Sequence, residues 1–211
     1  MIKMTGRVKT KDKILDVAEA LFAEHGFNDT SLRAITSKAN VNLASVNYHF
    51  GDKKTLVRAV IDRYLEVFMP ALQDQLENLN LSDEYTMEDV FITIKQPLLD
   101  LNDVRPEGTS RFMSLLGRGY TDVQGHLRWF ITERYGHVLK LFTNSVSKAN
   151  PDLSPETLFW RLHFTLGTCV FTTASSQALA EIAYNDFGQK VYSEVIIDEL
   201  LPYLAAGVAA K

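Results

Sequence analysis

The stretch from Thr30 to Leu56, TSLRAITSKANVNLASVNYHFGDKKTL, constrains this chain more than any other. It reads as two short helices joined by a tight turn, with a third helix starting directly behind them. Thr30 and Ser31 are cap-type residues whose side-chain oxygens accept from free first-turn N–H groups, which opens a helix reaching about Lys38. Leu32, Ile35 and Ala39 give that helix one apolar stripe. Asn40 follows, one of the few non-glycine residues that tolerates the left-handed backbone of a sharp helix exit. Val41 can plug the inside of the corner, and Asn42 can cap a second helix from Leu43 to about Phe50. Helix, tight turn, helix is the layout of a DNA-reading element.

The second helix divides by face. Leu43, Val46 and Phe50 share helical spacing and are expected to dock inward. Ala44, Asn47 and Tyr48 fall on the opposite side, with Ser45 and His49 at its edges. A small residue such as Ala44 lets the helix approach base edges, and the Asn47 amide has the donor–acceptor pair that matches adenine. Tyr48, His49 and Lys53 suit phosphate oxygens, and Asp52 can cap the next helix beside them. With Thr30 and Arg33 from the preceding helix, the candidate DNA-contacting set is Thr30, Arg33, Ala44, Ser45, Asn47, Tyr48, His49 and Lys53. On these residues alone, an ordinary helical hairpin with a polar outer face remains an equal alternative.

The spacing of Tyr48-His49-Phe50, Lys53 and Leu56 behind this helix-turn-helix resembles the TetR family of transcriptional repressors. Ile14 to Phe27, ILDVAEALFAEHGF, is similar to that family's first helix and its Gly-Phe exit. Asn40 departs from the family's usual glycine, though it can adopt the same backbone conformation. VNLASVNYHFGDKK, GHLR at Gly125 to Arg128, LFWRLHF at Leu158 to Phe164, and DFG at Asp186 to Gly188 resemble the PsrA-type branch, whose members respond to long-chain fatty acids. The resemblance implies an all-α fold of about nine helices. A helix-turn-helix domain would occupy residues 1–51, with a basic, flexible tail over 1–10. An effector-binding and dimerisation domain would occupy 52–211. It also implies a homodimer joined through the last two helices.

With 211 residues and 46% hydrophobic content, the chain can bury a real core. Its net charge of -4 is polarised: residues 1–60 hold ten Lys and Arg against six Asp and Glu, and the remainder holds twelve against twenty. The positive end contains the reading element. The single cysteine, Cys169, excludes an intrachain disulfide and a multi-cysteine zinc site, and its apolar surroundings predict a buried thiol. The opening MIKMTGRVKTKDK lacks the apolar core of a signal peptide, and no stretch reaches the ~18 apolar residues of a membrane span. A cytoplasmic protein without membrane contact is expected.

A first helix is expected from about Lys11 to His25, ended by Gly26, and a fourth running unbroken from Asp52 or Lys53 to about Leu79, with Pro70 as its kink candidate. Thr86 with Asp89 fits a capping box opening a helix through about Leu101, with Pro97 inside it. Further helices are expected over Thr109–Thr121, Gly125–Ala149, Ser154–Tyr184 and Gln189–Ala206. Ser154 followed by Pro155 is a cap and first-turn proline, and the middle of that helix is apolar nearly all round, as for burial between helices.

In the C-terminal half, large apolar side chains can either line an elongated cavity or fill it. Arg118 and His163 interrupt apolar helices and need a partner, which an internal carboxylate or a ligand carboxylate can supply. Phe112, Leu115, Leu116, Arg118, Trp160, His163, Phe164 and Phe171 form the candidate set for a small apolar effector, by the resemblance a long-chain fatty acid or acyl-CoA. No cofactor and no metal are expected. Enzymatic readings find no nucleophile elbow, phosphate-cradling glycine loop or metal-spaced cluster. His163 and Cys169 lie six residues apart on one helix, on different faces. Two rivals remain: an effector-free dimeric DNA-binding protein of the same fold, and a helical lipid-binding protein that does not touch DNA.

Overall fold

A computed structural model describes residues 4–122 and 125–210. Among these the chain is helical throughout, with no strand. The helices are α1 (Met4–Asp29), α2 (Leu32–Ala39), α3 (Leu43–Phe50), α4 (Lys53–Leu79), α5 (Met87–Ile92), α6 (Lys95–Leu99) and α7 (Leu101–Val104). They continue as α8 (Gly108–Asp122), α9 (His126–Ala149), α10 (Pro155–Ala174), α11 (Ser176–Phe187) and α12 (Ser193–Ala209). Two compact units result. One comprises Met1–Leu65 with Leu115–Glu133, the other Glu66–Ser114 with Arg134–Lys211.

The first unit is built on α1, whose buried face carries Ile14, Ala18 and Phe22. Gly26 breaks this helix at φ 83°, ψ 170°, a conformation closed to residues with a Cβ, so the chain turns where the sequence predicts. Phe27 then folds back edge-on to Phe22, ring centroids 5.1 Å apart. The helix starts at Met4 rather than near Lys11, because adding turns to an existing helix costs less than nucleating one. Residues 4–10 are therefore helical where a loose tail was expected. Lys3, and the side chains of Arg7 and Lys9, lie outside the described residues. Buried Glu19 and Asp16 both accept from Arg63 Nη1, at 3.1 and 3.0 Å. The unit also includes residues 115–133, which the sequence division assigned to the C-terminal domain. Gly119 lets them pack: a Cβ there would lie 2.5 Å from Leu127 Cδ2.

In the second unit α12 packs on α5, α6 and α10. Val90, Phe91, Leu101, Val138, Leu201 and Leu204 are buried in this unit. Arg161 Nη1 donates to the carbonyls of Val208 and Ala210, both at 2.6 Å, binding α10 to the carbonyl end of α12. Lys95 and Asp198 form an ion pair between α6 and α12.

The helix expected over residues 86–101 is divided into α5, α6 and α7. Thr86 and Asp89 do form the capping box; the break after Ile92 puts Pro97 in the first turn of α6, where no N–H is missed and the cost of an interior proline is avoided. The helix expected over 154–184 also divides, at Ser175 (φ -99°, ψ 9°). Thr168 and Thr173 hydroxyls donate back to the Phe164 and Cys169 carbonyls, a pattern that bends helices. These two divisions account for twelve helices among the described residues against the nine expected.

Candidate nucleic-acid interface

Four short-range bonds mount the reading helix. Ser31 caps α2, its hydroxyl accepting from Ala34 N–H at 3.1 Å. Asn40 sits at φ 52°, ψ 51°, the left-handed exit that glycine otherwise supplies, and Val41 N–H donates to the Thr36 carbonyl at 3.0 Å. Asn42 caps α3 through Oδ1 to Ser45 N–H at 2.8 Å. Asp52 opens α4 by accepting from Thr55 N–H at 2.7 Å. That backbone bond, then the Thr55 side chain, holds the Asp52 carboxyl below its ordinary range.

On α3, Val46 and Phe50 are buried as expected. Leu43 is not: 43% of it is exposed, so the inward docking expected from its spacing is incomplete. Leu43 is the first residue of an eight-residue helix, and the apolar stripe ends before reaching it. Ala44 and Asn47 are exposed, Tyr48 is 63% exposed, and Ser45 and His49 are half-buried. The Tyr48 ring stands edge-on to His49, centroids 5.2 Å apart. Lys53 Nζ donates to the Asn28 carbonyl at 3.3 Å, which holds this cation at the joint between α1 and α2. Arg33 is exposed on α2.

Thr30 is a correction. It is 2% exposed, and its hydroxyl donates to the carbonyls of Leu21 and Gly26 at 3.1 and 2.7 Å. The side chain fastens the end of α1 to the start of α2 and does not reach a DNA-accessible surface. The remaining set offers an amide for base edges, small residues for close approach, and hydroxyl, imidazole and ammonium groups for phosphate.

The eight residues assigned to an effector are divided between the two units. Phe112 and Leu115 are buried, but Phe112 belongs to the second unit, while Leu115, Leu116 and Arg118 belong to the first. Phe112 stacks at a tilt on Phe68, centroids 5.7 Å apart. Arg118 reaches the Glu24 carbonyl at 3.5 Å, and His163 Nδ1 lies 2.7 Å from the Phe159 carbonyl. Trp160, Phe164 and Phe171 face solvent, 59%, 65% and 65% exposed. The apolar middle of α10, expected to be buried between helices, is thus open on this side within one chain. Two open clefts, of about 430 and 490 Å³, lie elsewhere. Asp100, Asp103 and Glu194 line the first, and Glu181, Tyr184 and Lys190 the second; none of the eight borders either. Among the described residues no group of three His, Cys, Asp or Glu could hold a metal, and no helix is long and apolar enough to cross a membrane.

Comparison with known proteins adds the following. Residues 14–60 match the family described as bacterial regulatory proteins, tetR family, and residues 93–207 match a tetracyclin repressor-like C-terminal domain. YttP of Bacillus subtilis, a probable HTH-type transcriptional regulator, is 35% identical over 74 residues, 35% of this chain and 36% of its own length. The chain thus spans little more than a third of that relative. IcaR of Staphylococcus epidermidis, a negative transcriptional regulator of a biofilm operon, is 24% identical over 185 residues, 87% of this chain and 95% of its own. A TetR-family regulator from Haemophilus influenzae superposes with a TM-score of 0.57 at 16% identity, covering 96% of this chain and 97% of that one. The fatty acid degradation regulator FadR of Bacillus halodurans does so with a TM-score of 0.54 at 14% identity, covering 93% and 98%. At these identities the two structures speak to the fold alone.

Proposed function

The chain belongs to the TetR family of bacterial regulatory proteins, and from that premise we propose that it is a homodimeric cytoplasmic repressor that binds a palindromic operator. The observation carrying this reading is the outer face of α3, where Ala44, Asn47 and Tyr48 stand exposed on a helix whose mounting bonds are made elsewhere. One eight-residue helix supplies few base contacts, so useful specificity calls for two copies on adjacent turns of a duplex. Residues 1–51 are assigned to operator binding and 52–211 to dimerisation and response.

The dimer reading is supported by α10. Positions 160, 164, 167 and 171 fall within about 60° of arc around that helix, an outward stripe of three large aromatics with a glycine among them. Trp160 and Phe164 stack with centroids 6.2 Å apart. Tyr203 is exposed on the neighbouring α12. Folded monomers rarely leave such patches in water, and a second copy through α10 and α12 would cover it.

Release by a long-chain fatty acid or acyl-CoA rests on the sequence resemblance in LFWRLHF and DFG. An acyl ligand bound unequally by two states of the body would change the spacing of the heads through α4, the helix over Lys53–Leu79. The exposure of Trp160, Phe164 and Phe171, three of the eight effector residues, favours a second reading, a dimeric DNA-binding regulator without an effector. Fluorescence anisotropy on an operator selected from a random duplex library, with and without C12–C18 fatty acids and their CoA thioesters, tests both. Loss of binding with one acyl class supports release; unchanged binding across all of them removes the effector and leaves the repressor. Absence of salt-dependent DNA binding would remove both.

A further inference from the structure

Leu43 is exposed at the start of the reading helix, where its spacing predicts burial. It is far more open than Val46 and Phe50, which enter the head's core from the same helix. Leu43 and Asn47 stand four apart, so they are neighbours on the helix surface, about 5–6 Å between Cβ atoms. Ala44 and Tyr48 form a parallel pair one residue on. The N-terminal residues of a reading helix are those that meet base edges in the major groove. In that groove the feature an aliphatic side chain can recognise is the thymine 5-methyl group, while an amide recognises adenine.

We infer that Leu43 is a base-reading residue whose methyl groups seat on a thymine 5-methyl group in each operator half-site, one or two base pairs from an adenine held by Asn47. The separation of the two side chains matches this step, since base pairs rise 3.4 Å along the duplex. The inference rests on the DNA-binding reading above and adds the base that this position selects. It also explains why the outer face of α3 carries so little charge: its contacts are to a methyl group and an amide edge, with phosphates left to Lys53 and its neighbours.

The test uses the full chain and the half-site obtained by selection from a random duplex library. Each thymine is replaced in turn by deoxyuridine, which removes only the 5-methyl group, and affinity is measured for the wild type, Leu43→Ala and Asn47→Ala. At one thymine per half-site, deoxyuridine is expected to weaken the wild type roughly fourfold in one half-site and about 15-fold in both. Leu43→Ala should bind the thymine and deoxyuridine duplexes equally, while Asn47→Ala should keep the thymine effect. Because the residue is exposed, Leu43→Ala should also melt with the wild type, which separates a reading role from a folding one. No deoxyuridine-sensitive position in the wild type, or full sensitivity retained by Leu43→Ala, overturns the inference while leaving DNA binding intact. A chain that selects no duplex at all overturns the DNA-binding reading and this inference with it.

Discussion

Asn42 Oδ1 accepts two hydrogen bonds from Ser45, one from its backbone N–H at 2.8 Å and one from its hydroxyl at 2.9 Å. The first caps α3; the second commits the hydroxyl proton inward and leaves the Ser45 oxygen to act outward as an acceptor. Asn42→Ala should therefore cost about 1 kcal/mol, or about 2–4 °C in Tm for a chain of this size, whereas Asn42→Asp should retain most of the cap. Thermal denaturation followed by circular dichroism measures both.

Asn47 has the opposite profile. It is exposed on α3 and its removal should leave the melting curve unchanged. On a specific duplex, losing a bidentate amide–adenine contact should cost about 1–3 kcal/mol per half-site. Binding to scrambled DNA should not change. Parallel titrations of Asn47→Ala on selected and scrambled duplexes give the comparison.

Lys53 contributes charge without base identity. Lys53→Ala should weaken all duplexes alike and lower the slope of log K against log salt by about 0.9 for each protomer that loses a phosphate contact. Affinities measured between 50 and 200 mM salt, roughly the range over which such slopes are resolved, supply the slope. The lost bond to the Asn28 carbonyl is an exposed one and adds little to the stability change.

Phe164 separates the dimer from the fold. It is 65% exposed within one chain, so Phe164→Glu should leave secondary structure intact. Placed on a self-complementary stripe, the charge would meet its own copy and should raise the dimer dissociation constant at least about 100-fold. Sedimentation velocity over a concentration series reads this directly, and operator affinity should fall in step.

Cys169, expected to be a buried thiol, is half-buried on α10 and should be slow to react at neutral pH. Burial pushes its thiol up to about 11, so the folded state holds the proton more tightly than the unfolded chain. The neutral thiol contributes its stability fully below the unfolded value near 9, and that contribution is lost as pH rises toward about 11. Alkylation by iodoacetamide at pH 7.5 should be far slower in the native protein than in urea, with the native rate climbing only at strongly alkaline pH.

Local signals carried most of the fold. Asn40 in the left-handed region, the Thr86–Asp89 capping box, the Ser154–Pro155 start and the length of α4 are all decided by residues within a few positions of each other. Some departures from the sequence reading turned on local detail, such as Pro97 and the Thr168 and Thr173 back-bonds, and others on what lies beneath a helix face. Helical periodicity assigned Leu43 to the core because its angle is right, but at the first position of α3 it is only partly covered. The same periodicity marks Trp160, Phe164 and Phe171 as apolar without saying whether the covering surface lies in this chain or in a second one. Thr30 looked like a cap, and its hydroxyl instead closes on two carbonyls of the preceding helix. Leu115 and Phe112 were grouped as large apolar side chains, though the boundary between the compact units runs between them.

The mounting of α3 is done by Thr30, Ser31, Asn42 and Asp52, none of which lies on its outward side. Address and anchorage are thus written in different letters of the sequence. On the proposed operator reading, substitutions at Leu43, Ala44 and Asn47 would redirect the protein to another duplex sequence while the head keeps its shape, so a descendant lineage would change its targets one base pair at a time without first passing through an unfolded ancestor.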